Sequence, residues 1–396
     1  MKAKHFDTPK VLCIVGTRPE AIKMAPVVLE LRKKPGLDVN LLLSGQHREM
    51  AAQALAPFGL KGEMQLDVMR TNQTLAGLTG RLCLEFERVL EEQRPAMIVA
   101  QGDTTTVMAA GLCCFYAGIP FAHVEAGLRT GDLQNPFPEE LNRVVVGRLA
   151  RLNFAPTVRA KTALLAESVD RSTVFVTGNT VIDALRMIAA SAPSRHSSRF
   201  GTEARRSILV TVHRRENFGA PLVSICRGIL KLVERFPDVE INFPVHPNPN
   251  VRSIVEQYLS GHSRIRLSEP LEYTDLVHAM QAAYIVLTDS GGIQEEAPAL
   301  AKPVLILRTK TERPEAVDSG VAKLVGTTEN AIVENVSVLL TSEPAYQFMA
   351  RGVSPYGDGR AAKRIAQHIR AHLLGEREVV DEFTAEAPGV PAQIPA

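Results

Sequence analysis

Two carboxylates each follow the end of a predicted buried strand. Asp103 comes just after the apolar run at 97–100, and Glu125 directly follows the next strand along the chain. A carboxylate in such a position can exchange a proton with a bound substrate. Asp103 taken alone is explained more simply as the cap of the next helix, whereas Glu125, between Val and Ala-Gly, would be partly buried and must find a partner. Glu139 or Glu140 adds a third acidic group at a helix start, where it would also satisfy the helix dipole.

A Gly-Gly turn joins another predicted strand to a helix in the second half of the chain. The strand at 284–288 leads to Ser290, Gly291 and Gly292, and Glu296 lies about one helical turn further on. Without side chains at the two glycines, a phosphate could approach the free N–H groups at the positive end of the helix. In isolation, however, the turn is explained more simply as a tight connection with Ser290 as the helix cap.

Basic side chains stand at other strand ends. Arg18 and Lys23 follow the first predicted strand, where they could hold a diphosphate or a carboxylate. His213 follows a strand in the second half of the chain, and Arg313 lies in a charged loop. Considered singly, such residues are more often solvated or structural. Because all of these groups follow predicted strands at their carboxyl ends, we expect them to converge on one cleft.

The composition is that of an ordinary globular protein of 396 residues, with 45% hydrophobic and 22% charged residues. Its 45 Lys and Arg against 43 Asp and Glu give a net charge of +2, which predicts no general attraction to nucleic acid or membranes. Five cysteines without a C-x-x-C pattern and no visible signal peptide predict a cytoplasmic protein with core thiols. The sequence has no metal-ligand spacing, G-x-G-x-x-G or P-loop, so we predict no metal and no nicotinamide site.

Strands and helices alternate along the chain, which predicts an α/β protein with two doubly wound parallel sheets. The first domain is expected at 1–190, with strands at 11–15, 39–43, 97–100, 120–124, 152–155 and 174–177, and a helix at 48–58. A linker at 191–206 precedes a second domain at 207–355, with strands at 208–212, 239–243, 265–267, 284–288, 304–307 and 323–325. The segment 356–374 should provide a helix that crosses back to the first domain, and 375–396 should be a frayed tail.

Several long motifs, in order along residues 10–373, resemble those of the non-hydrolysing UDP-N-acetylglucosamine 2-epimerase family. They include GTRPEAIKMAP at 16–26, QGDTTT at 101–106, HVEAGLRTGD at 123–132 and LTDSGGIQEEAP at 287–298. The resemblance implies two Rossmann-like domains in a GT-B-type arrangement, with the active site in the cleft between them. It also implies interconversion of UDP-GlcNAc and UDP-ManNAc without an added cofactor, by a homodimer.

The resemblance further implies roles for particular residues. The uridine diphosphate would be held by Arg18, Ser290 and the helix end at Gly291 and Gly292, and Glu296 would take the ribose hydroxyls, while Lys23, His213 and Arg313 would also line the site. Asp103, Glu125 and Glu139 match the family's proposed acid/base carboxylates, and His213 would help to take up the departing charge. Gln46 and Glu49 lie in a Gln-His-Arg-Glu loop with His47 and Arg48, which matches a second site where substrate activates many bacterial members.

The implied reaction explains why such groups are needed. The C2 proton of an N-acetylhexosamine is not acidic, so its removal requires UDP to leave C1, giving a glycal and free UDP. Positive groups take the departing charge, and inversion at C2 needs proton exchange on both faces, hence more than one carboxylate. The alternatives are a GT-B glycosyltransferase that uses a UDP-sugar donor and a UDP-sugar-binding regulator without catalysis. The three carboxylates at first-domain strand ends favour the epimerase.

Overall fold

The computed structural model describes residues 8–46, 48–191, 205–376 and 379–385. Most of the predicted linker, at 192–204, and residues 386–396 of the predicted tail lie outside these ranges, as does His47. The described residues fall into two compact units, the first built from described residues within 8–187 and 356–384, and the second from those within 188–355 together with residue 385.

The first unit is built on a seven-stranded, all-parallel sheet in the order β3-β2-β1-β4-β5-β6-β7. Its strands are β1 (Lys10–Val15), β2 (Asp38–Leu43), β3 (Met64–Gln65), β4 (Met97–Gln101), β5 (Phe121–Val124), β6 (Leu152–Ala155) and β7 (Val174–Val176). Its first helices are α1 (Arg18–Arg32), α2 (Arg48–Leu55), α3 (Leu75–Gln93), α4 (Thr105–Ala117), α5 (Glu139–Leu149), α6 (Val158–Ala166) and α7 (Thr180–Ala189).

The second unit has a six-stranded parallel sheet in the order β10-β9-β8-β11-β12-β13. Its strands are β8 (Arg206–Thr211), β9 (Val239–Pro244), β10 (Ile265–Ser268), β11 (Ile285–Thr288), β12 (Val304–Ile306) and β13 (Ala322–Leu324). Its helices are α8 (Ala220–Arg235), α9 (Pro249–Leu259), α10 (Tyr273–Ala282), α11 (Gly291–Ala299), α12 (Pro314–Asp318), α13 (Glu329–Thr341) and α14 (Glu343–Met349). The last helix, α15 (Ala361–Leu374), packs against α1 in the first unit.

The predicted α/β class, with two Rossmann-like parallel sheets, is confirmed. Parallel strands are covered by helices on both faces, so their near-continuous apolar runs are buried. β1 and β4 are examples, because Val11–Val15 and every residue of β4 are buried. The first unit's core packs Leu82 and Phe86 of α3 against Leu12 and Ile98 of the sheet.

Two details differ from the sequence predictions. The helix expected at 48–58 is divided, because α2 ends at Leu55 and a 3₁₀ helix, Ala56–Phe58, carries Pro57 near its start. Proline removes a backbone donor and clashes with the preceding helical turn, which explains the break. β3 was not predicted, since its two residues are too few to show a periodic pattern.

Candidate active site

The carboxyl ends of three adjacent strands gather the predicted groups of the first unit. β4 lies between β1 and β5 in the sheet. Because the strands are parallel, the turns that follow them lie along one edge. The turn after β1 leads into α1 with Arg18 and Lys23, the turn after β4 carries Asp103, and Glu125 directly follows β5.

Glu125 is held by three donors from separate parts of the first unit. Lys23 Nζ lies 2.6 Å from Oε1, and Asn179 Nδ2 donates to the same oxygen at 2.9 Å. The side-chain amide of Gln101 donates to the other oxygen, Oε2. The Glu125 side chain is 6% exposed, and its backbone takes a positive φ of 63°, which is uncommon for a residue other than glycine. This arrangement fixes the carboxylate in place and stabilises its charged form.

Asp103 pairs with Arg143 of α5 and does not cap α4. Arg143 Nη2 lies 2.5 Å from Asp103 Oδ2, and Asn142 Nδ2 donates to the Asp103 carbonyl at 2.8 Å. The cap of α4 is Thr104, whose hydroxyl accepts from Val107 N. The interpretation of Asp103 as a helix cap is therefore wrong, because the neighbouring hydroxyl takes that place and leaves the carboxylate for Arg143.

The surroundings of Asp103 favour its protonated form more than water does. Burial raises its pKa, the Arg143 guanidinium opposes this rise, and the negative charges of Glu125 and Glu139 add to it. Glu139, the first residue of α5, is thus within electrostatic reach of Asp103. Its neighbour Glu140 is 1% exposed and accepts from two backbone N–H groups of the 130–131 turn, which gives it a structural role.

The predicted activating loop connects to the same edge of the sheet. Gln46 Oε1 accepts from the Thr106 hydroxyl at 2.9 Å, and Thr106 belongs to the first turn of α4, three residues after Asp103. Glu49 lies exposed in the first turn of α2.

In the second unit, Asp289 organises the loop that carries His213. Asp289 is fully buried after β11, and its carboxylate accepts from the backbone N–H groups of His213 and Arg214 at 2.9–3.1 Å. The side-chain amide of Asn217 donates to the same carboxylate at 2.9 Å and to the Leu307 carbonyl at 3.1 Å. One carboxylate therefore holds the end of β8 against the end of β11.

The His213 imidazole lies beside Asp289 and against a second histidine. His213 Nδ1 is 3.3 Å from Asp289 Oδ1, and the ring stacks on that of His246 with a centroid distance of 6.0 Å. Burial lowers the pKa of His213, Asp289 opposes this, and the positive charges of Arg214 and Arg308 lower it further. Burial therefore favours the neutral ring, and Asp289 is placed to stabilise an added proton.

The glycines at the start of α11 are explained neither by packing nor by backbone conformation. A Cβ at Gly291 would lie 3.7 Å from Arg214 Nη2, and one at Gly292 would lie 3.9 Å from Glu296 Oε2, both ordinary contacts. Neither glycine has a positive φ. Ser290 occupies the cap position, but its side chain makes no capping hydrogen bond. The open backbone at this helix end is suited to a phosphate that approaches the N–H groups closely.

Two further predicted residues, Glu296 and Arg313, are held by side chains that belong to α10 and α11. Glu296 is buried, and its Oε1 accepts from the Tyr273 hydroxyl at 2.7 Å. Arg313 forms an ion pair with Glu295, whose side chain is 3% exposed. Both groups are thus held in fixed orientations.

The sequence did not identify the residues that position these groups, which include Gln101, Asn179, Arg143, Asp289, Tyr273 and Glu295. Asp289 gave one signal, because an acidic residue directly after a buried strand must find donors. Within the described residues, no cluster of three or more His, Cys, Asp or Glu is arranged to bind a metal ion. None of the helices in the described ranges combines the length and hydrophobicity that a membrane span requires.

The chain is similar over most of its length to a protein-family model, to named proteins and to solved structures. A family model described as UDP-N-acetylglucosamine 2-epimerase matches residues 29–370. The UDP-N-acetylglucosamine 2-epimerase of Yersinia pestis is 47% identical over 375 residues, which cover 92% of this chain and 99% of the relative. That of Bacillus subtilis is 44% identical over 377 residues, with 95% and 99% covered. The crystal structure of UDP-GlcNAc 2-epimerase from Neisseria meningitidis bound to UDP-GlcNAc has a TM-score of 0.83 and 44% identity, and covers 91% of this chain and 99% of its own.

Proposed function

The chain belongs to the UDP-N-acetylglucosamine 2-epimerase family of isomerases, and from this premise we propose that it interconverts UDP-GlcNAc and UDP-ManNAc by eliminating and re-adding UDP. In the first step the C1–O bond to UDP breaks and its electron pair leaves with UDP. The C2 proton passes to a carboxylate, and the C2–H electrons form the C1=C2 bond of 2-acetamidoglucal. In the reverse step a proton adds to the opposite face of C2 while UDP attacks C1.

The observation that carries this proposal is the contrast between Glu125 and Asp103. Glu125 receives three donors, so it suits a permanent anion that stabilises positive charge at C1. Asp103 has a raised pKa from burial, which suits a group that gains and loses a proton. Glu139, half-buried and within electrostatic reach of Asp103, is proposed for proton exchange on the other face of C2. Neighbouring carboxyl groups with unequal surroundings are a common basis for separate acid and base roles.

The second unit is proposed to bind UDP and to take up the charge that departs with it. The open N-terminus of α11 at Gly291 and Gly292 would hold a phosphate, and Glu296 would accept hydrogen bonds from the ribose. Arg313 would pair with the diphosphate, and Arg18 and Lys23 are proposed as further substrate-binding residues. His213 would donate to the departing UDP when protonated, and Asp289 at 3.3 Å would stabilise the resulting imidazolium. Ser290 would contribute its hydroxyl to the same phosphates.

One incubation tests this function. The protein is mixed with UDP-GlcNAc alone in deuterated water, and the products are analysed by NMR. We expect UDP-ManNAc with deuterium at C2, because the proton lost from C2 exchanges with solvent. A GT-B glycosyltransferase would leave UDP-GlcNAc unchanged without an acceptor, and a regulator would only bind it. Absence of label at C2 after prolonged incubation would rule out the proposed reaction.

We also propose that Gln46 and Glu49 belong to a second substrate site that activates the enzyme. The hydrogen bond from Thr106 to Gln46 supports this, since it links the loop to the helix that starts next to Asp103. Initial rates from UDP-ManNAc should then rise when a small amount of UDP-GlcNAc is added. In Gln46→Ala this stimulation should be lost, and an equal stimulation in the variant would contradict the assignment.

A homodimer is proposed as the assembly. α3 and α4 pack against each other, and they expose Leu84 at 67%, Phe115 at 63% and Tyr116 at 75%. A second copy that covers this apolar face would bury it. Sedimentation should therefore show a dimer that dissociates in Phe115→Ser/Tyr116→Ser but persists in Val158→Ser, an equally exposed position on α6.

A further inference from the structure

The carboxyl group of Glu20 is buried at the strand edge that carries the proposed catalytic groups, although the proposed reaction gives it no role. Glu20 is 3% exposed. Its Oε2 accepts from the backbone N–H of Gly16 at 2.5 Å and of Thr17 at 2.8 Å. Its Oε1 accepts from the Thr104 hydroxyl at 2.6 Å. Both oxygens are therefore engaged, and by two different loops.

Part of this arrangement is an ordinary feature of a helix start. Thr17 caps α1 and Glu20 reaches back to the Thr17 backbone, which is a capping box. The bond to Thr104 is not needed for that purpose. It joins α1 to the cap of α4, a residue 84 positions further along the chain. Arg18 directly follows Thr17, and Asp103 directly precedes Thr104. The carboxylate thus ties together the two turns that carry a proposed phosphate ligand and a proposed proton carrier.

Close packing leaves the carboxylate little freedom to move. A Cβ at Gly16 would lie 3.0 Å from Glu20 Oε2 and from Thr106 Oγ1, and 2.7 Å from Ser44 Oγ. These distances are shorter than ordinary van der Waals contacts, so any side chain at position 16 would displace these three oxygen atoms. Ser44 and Thr106 are themselves hydrogen-bonded at 3.1 Å. The oxygen atoms around Gly16 therefore form a tightly packed polar cluster.

Both ionisation states of Glu20 are compatible with these contacts. Burial raises the pKa of Glu20 to about 7, although the hydrogen bonds from Thr104, Gly16 and Thr17 oppose this rise. When protonated, the group can carry its hydrogen on Oε1 and donate to the Thr104 hydroxyl, while Oε2 still accepts both N–H groups. A glutamine can make the same contacts, with its amide NH₂ toward Thr104. Alanine leaves two buried N–H groups and a hydroxyl without this acceptor.

From this geometry we infer that Glu20 is a positioning residue. It holds the turn that carries Arg18 against the turn that carries Asp103, so that the departure of UDP and the proton transfer at C2 are coordinated. The inference rests on the proposed epimerase reaction. If the two turns separate, the C2 proton passes less readily to its carboxylate, so elimination is slower, and the glycal that does form is reprotonated slowly and escapes together with UDP. Misplacement by about 1 Å can cost roughly 10²-fold in rate.

The test compares Glu20→Ala with Glu20→Gln in the full-length protein. Three quantities are measured: kcat, KM for UDP-GlcNAc, and the share of turnovers that release free UDP and 2-acetamidoglucal. In Glu20→Ala we expect kcat to fall about 10-fold or more, KM to change less than about 3-fold, and the released share to rise. In Glu20→Gln we expect all three to stay within about 3-fold of wild type. Loss of folded protein alone would lower kcat without changing the released share.

A second pair of variants covers the case in which Glu20→Ala does not fold. Thr104→Val removes the hydroxyl that Glu20 contacts, and with it the cap of α4, but leaves the α1 capping box intact, whereas Thr104→Ser keeps the hydroxyl and both of its contacts. Thr104→Val should raise the released share, Thr104→Ser should not, and Glu20→Ala/Thr104→Val should be no worse than the more affected single variant. An unchanged released share in Thr104→Val and Glu20→Ala, with deuterium uptake by wild type intact, overturns the inference. Absence of uptake by wild type would instead refute the proposed function.

Discussion

Lys23 Nζ and Glu125 Oε1 lie 2.6 Å apart, in an ion pair that joins the second turn of α1 to the residue after β5. Both side chains are largely buried, with 16% and 6% exposure. A buried pair of this kind is stabilised only when its remaining hydrogen-bonding capacity is also used. The amides of Gln101 and Asn179 fulfil this condition for Glu125. The first unit therefore holds a negative charge at a defined point beside Asp103.

Replacement of that charge should abolish most of the activity. In Glu125→Gln, the new amide NH₂ group faces the Lys23 ammonium or the amides of Gln101 and Asn179, so neither the charge nor the geometry is kept. We expect kcat to fall about 10²-fold or more, the scale for loss of a positioned catalytic group. Steady-state assays should show no such loss in Glu85→Gln, whose carboxylate pairs with Arg88 on the exposed surface of α3. Comparable turnover in the two variants would remove Glu125 from the mechanism.

Removal of the Arg143 charge should shift the pH dependence of the reaction. Burial raises the pKa of Asp103, and Arg143 is the strongest influence that opposes the rise. Without the guanidinium, Asp103 therefore holds its proton to higher pH. The limb of the kcat/KM profile that reports Asp103 should move toward alkaline pH in Arg143→Met and disappear in Asp103→Asn.

The matched control for this shift is Arg148→Met, an exposed position on the same helix. Its pH profile should coincide with that of wild type. If Arg143→Met and wild type show the same limb, Asp103 is not the group that titrates.

The sequence predicted that Glu125 would be buried and paired, but not with which residue. Lys23 is 102 positions away, and only the adjacency of β1, β4 and β5 brings the two together. The resemblance assigned Lys23 to the substrate site and gave no indication of its ion pair with Glu125. For Asp103 the local rule was misleading. The preference for an acidic or hydroxyl side chain at a helix cap favoured Asp103, but Thr104, one residue later, is the cap. Local chemistry predicts that a buried group needs a partner, whereas topology decides which partner it receives.

The fold was easier to predict from the sequence than the partners of the site residues, because buried parallel strands have near-continuous apolar runs such as Val11–Val15 and Ile285–Thr288. Short elements leave no such trace, as β3 shows. The role of Asp289 was not predicted either, because two of its donors are backbone N–H groups of residues 213–214, which carry no sequence signal, and the third, Asn217, lies 72 positions away.

That role gives a prediction for the second unit. Asp289→Asn replaces one of the two acceptor oxygens by a donor, which then faces N–H groups of the His213 loop. Loss of one buried, charge-assisted hydrogen bond costs about 1.5–3 kcal/mol, so we expect UDP affinity to fall roughly 10- to 100-fold. Calorimetric titration with UDP measures this. Asp318→Asn, at the exposed end of α12, should bind UDP like wild type, and equal affinity in Asp289→Asn would show that the loop is not held by this carboxylate.

The docking of α15 should depend on pH through Asp183. This residue of α7 is 7% exposed and accepts from the backbone N–H groups of Ala361 at 3.2 Å and Ala362 at 2.9 Å, at the start of α15. Burial raises its pKa from 3.8 to about 6, although the two N–H groups oppose the rise. Between these values the folded protein binds more protons at Asp183 than the unfolded chain does. Its contribution to stability is therefore complete below pH 3.8 and is lost as the pH rises through about 6.

Asp183→Asn removes this titration while it keeps an acceptor for one N–H group. The free energy of unfolding of wild type relative to the variant should fall as the pH rises from 4 to 7, by up to about 3 kcal/mol. Urea unfolding followed by circular dichroism at several pH values measures the difference. Asp67→Asn, whose carboxylate is 87% exposed, should run parallel to wild type over the same range. A difference between wild type and Asp183→Asn that stays constant with pH would mean that Asp183 is charged at the start of α15 throughout, with its two N–H donors outweighing burial.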